Sequence, residues 1–266
     1  MSAMVRLLFW LMVLLACGAV LPTVAIAAPC PGNPSALSTE RVLTVDAAAS
    51  PRVGRKQFPA TLPLADKEVV LTFDDGPWPG TTGRILDTLA RHCVRATFFA
   101  LGRNAAAHPQ LVRRALAEGH TVASHTFSHR LLDRMPADRA EAEINHGIAA
   151  VDTALHGKDE LTPSTPFFRF PGFVATPGLL DRLKARGIVV FGADLWASDW
   201  HSMSPDRELH LLLNRLAATG RGIILLHDTK SQTAAMLPTL LQELKRRGYR
   251  VVHVVPTTKS TIASRH

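Results

Sequence analysis

Cysteine and aromatic residues are scarce in this sequence. Its 266 residues include three cysteines and one tyrosine, and aromatic side chains make up 6% of the chain. None of the cysteines stand in C-x-x-C spacing, so a cysteine-based metal site is not expected. No repeat of 20–50 residues is visible, which gives no indication of a repeat architecture. Hydrophobic content of 47% with 20% charged residues is ordinary for a globular protein.

The N-terminus has the pattern of an export signal. Arg6 is followed by an apolar run from Leu7 to Val20 and then by Ala25-Ile-Ala27, which match the charged, apolar and small-residue parts of a signal peptide. We expect residues 1–28 to be removed and the protein to be exported, either to the periplasm or out of the cell, with no transmembrane segment left. An uncleaved anchor is the alternative.

Cleavage would leave two cysteines, Cys30 and Cys93. An oxidising compartment permits a disulfide between them, and two unpaired thiols are the alternative. Residues 29–66, which contain Cys30, are rich in proline, alanine, serine and threonine. This segment is interpreted as an arm that wraps the rest of the chain, with a strand-like piece at 41–45.

Basic residues exceed acidic ones, but they are not clustered in the way that is typical of nucleic-acid-binding proteins. Thirty lysines and arginines against 22 acidic residues give a formal net charge of +8. The densest runs, 113–114 and 245–247, fall late in predicted helices, where cations are favourable and face water. No interleaving of basic and aromatic residues indicates nucleic acid as a partner. Attraction to an anionic polymer of the cell envelope explains the charge better.

From residue 67 to 255 the sequence alternates between two periodicities. Seven short β-rich segments occur at 68–73, 96–101, 120–123, 167–170, 188–193, 222–227 and 249–254. Amphipathic helical segments lie between them at 82–91, 106–118, 137–155, 177–186, 205–218 and 233–247. Alternation of this kind predicts an α/β fold with a parallel sheet that closes into a barrel. Residues 256–266 are interpreted as a polar tail.

The helix boundaries have their own signals. Asn104 and Ser204 are predicted helix starts, because short polar side chains favour N-caps. Gly119, Gly187 and Gly248 are predicted helix ends, where glycine accepts a left-handed conformation.

Reactive side chains follow these predicted strands one after another. They are Asp74, Asp75, His125, His129, Arg169, Asp199 and His227. Because the carboxyl ends of parallel barrel strands share one face, all seven side chains can converge there. One carboxylate and two imidazoles suffice for an open three-ligand metal site. The second carboxylate and the late histidine remain for proton transfer, which predicts a metal-dependent hydrolase.

Five short motifs carry a family resemblance. They are Thr72-Phe-Asp-Asp-Gly-Pro77, His125-Thr-Phe-Ser-His129, Arg169-Phe-Pro-Gly172, Ser198-Asp-Trp200 and Leu225-Leu-His-Asp228. In this order they resemble the motifs of the polysaccharide deacetylase family (NodB homology, carbohydrate esterase family 4). The resemblance implies a distorted (β/α)7 barrel and metal-dependent N-deacetylation of aminosugar polymers.

The resemblance also implies a role for each residue. Asp75, His125 and His129 are the expected metal ligands. Zn²⁺ is the expected ion, and Co²⁺, Ni²⁺ or Mn²⁺ are alternatives for the same ligands. The remaining roles are a general base (Asp74) oriented by Arg169, a general acid (His227) held by Asp199, a backbone N–H for the oxyanion (Gly172), and an apolar wall around the acetyl methyl (Trp200 and Leu225).

Two departures from the family pattern concern the substrate groove. The family usually carries an aromatic residue where this chain has Gly172, although Phe173 follows, and a proline where it has Arg130. The expected substrate is an N-acetylglucosamine glycan: peptidoglycan, a chitooligosaccharide or an exopolysaccharide. The alternatives are hydrolysis of another non-peptide C–N bond, and a non-catalytic glycan-binding module that has lost a metal ligand, the base or the acid. The sequence has no signal for the oligomeric state.

Overall fold

The computed structural model describes residues 30–158 and 162–257. The expected signal peptide (1–28) and residues 258–266 of the expected tail lie outside this range. Within it, no helix combines the length and apolarity that crossing a bilayer requires.

Ten strands and seven α-helices are found in the described residues. The strands are β1 (Thr39–Val45), β2 (Arg52–Val53), β3 (Glu68–Asp74), β4 (Thr97–Ala100), β5 (Thr121–Ser124), β6 (Phe167–Phe168), β7 (Val189–Phe191), β8 (Leu195–Trp196), β9 (Gly222–His227) and β10 (Arg250–Pro256). The helices are α1 (Thr82–Arg91), α2 (Gly102–Ala107), α3 (Pro109–Ala117), α4 (Ala137–His156), α5 (Pro177–Ala185), α6 (Pro205–Thr219) and α7 (Ser231–Arg246).

The strands form one parallel sheet, and seven of them run in the order β8-β9-β3-β4-β5-β6-β7. The α/β barrel class predicted from the sequence is confirmed, but the ring is open. Within residues 30–158 and 162–257, no pairing joins β7 to β8. Strand β10 pairs with only the first residues of β3, at Glu68 and Val69.

Because successive side chains of a strand point to opposite faces of the sheet, the strand contributes to two apolar layers. In β3, Val69, Leu71 and Phe73 join the apolar layer under the surrounding helices. Val70 belongs to the second cluster, which fills the inside of the sheet. Asp74 has the same parity as Val70, so the alternation alone directs its carboxyl to the barrel interior.

Some element boundaries differ from prediction, for local reasons. The helix predicted at 106–118 is two helices, because Pro109 begins α3 immediately after α2. Asn104 therefore lies inside α2 rather than at a helix start. Ser204 does cap α6, since its hydroxyl accepts from the backbone N–H of Arg207 at 3.3 Å. The strand predicted at 188–193 ends at Phe191.

The N-terminal segment is tied into the sheet at two places. Strand β1 pairs in parallel with β10, and β2 pairs in parallel with β7. Cys30 and Cys93 form a disulfide across a sequence separation of 63 residues, which resolves the open choice between a disulfide and two thiols. The pairing of β1 and the disulfide together hold this segment against the domain.

Removing this disulfide should destabilise the protein. In a Cys30→Ala/Cys93→Ala double variant, we expect the free energy of unfolding to fall by about 3–4 kcal/mol, because the cross-link closes a long loop in the unfolded chain. Urea denaturation followed by circular dichroism measures the change. Reduction of the wild type with a thiol should lower its midpoint to that of the variant. An unchanged midpoint after complete reduction would contradict the prediction.

Candidate active site

The two adjacent carboxylates at the end of β3 both lie near His125 Nε2, Asp74 Oδ2 at 3.8 Å and Asp75 Oδ1 at 3.6 Å, but different groups hold them. Asp74 ends the strand and faces inward, whereas Asp75 has a positive φ of 77°, which turns its side chain away from the strand alternation. The backbone N–H of Asp75 donates to the carbonyl of Phe99 at 3.2 Å. The amide of Asn104, in α2, donates to the Asp75 carbonyl at 2.7 Å. Strand β4 and helix α2 thus hold Asp75 in a conformation that an aspartate tolerates better than most residues.

Asp75, His125 and His129 converge with their ligand atoms within 4.8 Å of one another. Asp75 Oδ1 lies 3.3 Å from His129 Nε2 and 3.6 Å from His125 Nε2. The two histidines are brought together by a tight turn in which Thr126 Oγ1 accepts from the backbone N–H of His129 at 3.1 Å. Bonds of about 2.0–2.1 Å at tetrahedral angles put ligand atoms about 3.3 Å apart. The spacing therefore suits one ion bound by all three groups.

The chemistry of these three groups also fits a metal. His125 Nδ1–H donates to the Arg169 carbonyl at 2.8 Å, so the lone pair of Nε2 faces the cluster. Burial lowers the pKa of His125 to about 3, which keeps the imidazole neutral. Asp75 Oδ1 is buried and has no hydrogen-bond partner among the described residues. An unpaired carboxylate oxygen beside two imidazoles suits Zn²⁺, Co²⁺ or Ni²⁺.

Arg169 crosses the barrel interior to hold Asp74. Its Nη1 donates to Asp74 Oδ1 at 2.7 Å and to Thr72 Oγ1 at 2.8 Å. Its other nitrogens donate to the carbonyls of Phe191 and Gly192. In a flat sheet the ends of β3 and β6 would be about 14 Å apart. The contact between Arg169 and Asp74 is therefore possible because the sheet is curved. Both side chains are buried.

Burial and this ion pair shift the pKa of Asp74 in opposite directions. Burial raises the pKa of the Asp74 carboxyl, while the charge of Arg169, the charge of His227 and the Arg169 hydrogen bond oppose the rise. Burial lowers the pKa of Arg169, and Asp74 opposes that, but a guanidinium stays protonated in proteins. Asp74 is accordingly an ion-paired carboxylate made more basic by burial, which suits a general base.

His227, at the end of β9, is held by Asp199. Its Nδ1–H donates to Asp199 Oδ1 at 2.8 Å and its backbone N–H to Asp199 Oδ2 at 2.7 Å. Burial lowers the pKa of His227, but the hydrogen bond and charge of Asp199, with the charges of Asp74 and Asp75, outweigh it and raise the pKa to about 9. The imidazolium is thus available as a proton donor at neutral pH.

The three residues predicted to contact the substrate are placed differently. Trp200 is 45% exposed and its ring lies 6.1 Å from that of His227. Leu225 is buried in β9, two residues before His227 and on the same side of the strand. Gly172 has φ of 62° in a short 3-10 turn, where an added Cβ would lie 3.0 Å from Leu131. The ring centroid of Phe173 lies 5.9 Å from Cζ of the Arg169 guanidinium.

Sequence reasoning missed several supporting residues. Asn104 donates to the carbonyl of Asp75, and Thr72 accepts from the Arg169 guanidinium that binds Asp74. Asp228 is buried, accepts from Thr82 Oγ1 at 2.6 Å, and leaves no room for a side chain at Gly76. Thr233 donates toward Asp199 at 2.9 Å. Of these, Thr72 and Asp228 belong to the motifs already quoted, whereas Asn104 and Thr233 have no sequence signal.

Comparison with known proteins gives consistent matches. The family pattern described as polysaccharide deacetylase matches residues 62–191. The chitooligosaccharide deacetylase of Rhizobium leguminosarum bv. trifolii is 34% identical over 69% of this chain and 88% of its own length. The peptidoglycan-N-acetylglucosamine deacetylase PgdA of Listeria monocytogenes is 31% identical over 84% of this chain. This chain spans about half of that relative, at 47% of its length.

Solved structures show the same likeness. A peptidoglycan deacetylase of Bdellovibrio bacteriovorus superposes with a TM-score of 0.75 at 31% identity, covering 85% of this chain and 62% of the other.

Proposed function

Since this chain belongs to the polysaccharide deacetylase family, we propose that it is an exported, metal-dependent hydrolase that removes N-acetyl groups from N-acetylglucosamine glycans. One observation carries the proposal. A three-ligand cluster, an arginine-held carboxylate and an aspartate-held imidazolium converge at the carboxyl ends of the barrel strands.

Each group in this arrangement can perform one role in amide hydrolysis. Asp75, His125 and His129 would hold a divalent metal, which would supply Lewis acidity for activating a water and for the charge that develops on the acetamide oxygen. Asp74 removes the proton from the attacking water. Arg169 keeps Asp74 ionised and fixes its orientation through Nη1.

The departing amine needs a proton, and His227 is the donor. Its pKa of about 9 keeps the ring charged at neutral pH, so both ring nitrogens carry a proton. Asp199 accepts the Nδ1–H hydrogen bond. Nε2 is therefore the nitrogen that delivers the proton to the sugar amine. The backbone N–H of Gly172 is proposed to assist at the oxyanion, and Trp200 and Leu225 to contact the acetyl methyl.

The substrate class follows from the relatives. Those described above are a chitooligosaccharide deacetylase and peptidoglycan deacetylases. We propose peptidoglycan, chitooligosaccharide or exopolysaccharide as the substrate, with export through the N-terminal signal and Zn²⁺ as the metal. The proposed partners are thus the glycan and the ion, and no nucleic acid. A non-catalytic glycan-binding role is disfavoured because the metal-ligand candidates, base and acid are all present.

Metal removal tests this proposal directly. We expect acetate release from peptidoglycan or from N-acetylated chitooligosaccharides, which a chelator reduces to background and added Zn²⁺ restores, since three side chains cannot polarise the amide alone. Acetate is quantified enzymatically, and circular dichroism before and after chelation controls for unfolding. Activity that survives complete metal removal would contradict the mechanism. Absence of acetate from both polymers with metal bound would instead support another substrate, either an exopolysaccharide or another C–N bond, or a binding role.

A further inference from the structure

A buried series of hydrogen-bonded side chains extends from His227 through Asp199 to two further residues. Asp199 Oδ2 lies 2.9 Å from Thr233 Oγ1, in the first turn of α7. The same hydroxyl lies 2.9 Å from Glu208 Oε1, in the first turn of α6. Asp199, Thr233 and Glu208 are all 0% exposed. Two helices thus bring a second carboxyl to the back of the pair formed by Asp199 and His227.

The number of protons on these three side chains determines which group donates in each hydrogen bond. The Thr233 hydroxyl has one proton, so it donates to one carboxyl oxygen and accepts from the other. Asp199 accepts from the ring and the backbone of His227, which stabilises it as the anion. Glu208 has no such support, because its Oε2 is buried and has no hydrogen-bond partner in the described part of the chain. The proton therefore rests on Glu208.

We propose that Glu208 is held as the neutral acid and donates to Thr233, whose hydroxyl in turn donates to Asp199, so that both are positioning residues for His227. The catalytic part of this inference rests on the proposed role of His227 as general acid. Neither residue touches the substrate. They fix the Asp199 carboxylate, and through it the direction of the imidazole.

Electrostatics agree with this assignment. Burial and the charge of Asp199 raise the pKa of Glu208 to about 7, against the Thr233 hydrogen bond and the charge of His227. An ionised Glu208 would leave two buried anions sharing one hydroxyl proton. A neutral acid avoids that cost and still fills the acceptor lone pair of Thr233.

Infrared spectroscopy at pH 6 tests the protonation state without any substrate. The difference between wild type and Glu208→Gln should contain the carbonyl band of a protonated carboxyl. Glu243→Gln is the matched control, because Glu243 in α7 is a partly exposed glutamate paired with Arg246 and Arg247 and should give no such band. If the difference spectrum between wild type and Glu208→Gln lacks the carbonyl band of a protonated carboxyl, the proposal is overturned.

Kinetics at the same pH test the positioning role. Thr233→Val removes the donor to Asp199 and should lower kcat about tenfold with KM unchanged. Thr233→Ser keeps the hydroxyl and Glu208→Gln keeps a neutral donor, so both should stay within about twofold of wild type. A tenfold loss in Glu208→Gln, or an unchanged kcat in Thr233→Val, overturns the positioning role. If the wild type releases no acetate, the proposed function fails, while the infrared result still decides the state of Glu208.

Discussion

Replacing Asp74 with asparagine should lower kcat by about 10²–10⁴-fold, the range that a positioned general base contributes. Asparagine has nearly the same shape, and its carbonyl oxygen can keep the hydrogen bond that Arg169 Nη1 donates at 2.7 Å. What is lost is the ability to take a proton. Acetate release by Asp74→Asn against wild type measures the effect, on whichever glycan the wild type deacetylates.

Two controls separate this loss from indirect effects. Asp181→Asn removes a carboxylate that is 74% exposed and paired with Arg52 on the surface, and it should leave kcat unchanged. Metal content of Asp74→Asn should equal that of wild type, because Asp74 is not one of the three proposed ligands. An Asp74→Asn enzyme within tenfold of wild type would show that another group, or the metal alone, generates the nucleophile.

Replacing His125 with alanine should abolish tight metal binding and, with it, activity. Its Nε2 is one of the three convergent ligand atoms, and a catalytic zinc site depends on all three protein ligands. Loss of an outer hydrogen-bond partner alone costs about 10–100-fold in affinity, so deletion of a ligand should cost more. Titration calorimetry with Zn²⁺ and elemental analysis of the purified protein measure the loss.

His125 is buried, so a second ligand variant guards against a folding artefact. His129 has a side chain that is 38% exposed, and His129→Ala should lose metal while it keeps the wild-type circular dichroism spectrum. His156→Ala, which removes an exposed histidine at the end of α4, should retain both metal and activity. Metal bound at full stoichiometry and wild-type affinity in His129→Ala would refute the proposed ligand set.

Much of the architecture could be read in advance because it depends on local periodicity. The segment that forms β3 was predicted from its short β-rich run at 68–73. Once it is a strand, the period of two explains why Asp74 faces inward. The predicted helix ends at Gly119, Gly187 and Gly248 are confirmed by positive φ values of 81°, 68° and 73°. Such features need only neighbours in sequence.

Other features depended on contacts between distant segments. The strand-like piece predicted at 41–45 is confirmed as part of β1. Its place in the sheet, and that of β2, could not be predicted locally, since their partners are β10 and β7. Strand β8 has two residues, too few to show a period. The open ring between β7 and β8 likewise follows from pairing rather than from composition.

For the site, the sequence determined which side chains stand at strand ends, because reactive residues after short apolar runs are visible in one dimension. Only the tertiary structure decided how they are directed. The positive φ of Asp75 turns one of two adjacent carboxylates toward the histidines and leaves the other to Arg169. The link from Asp199 to Glu208 through Thr233 spans 34 residues in one step and 25 in the next. Such contacts arise from how helices pack against a curved sheet, and packing has no local pattern to read.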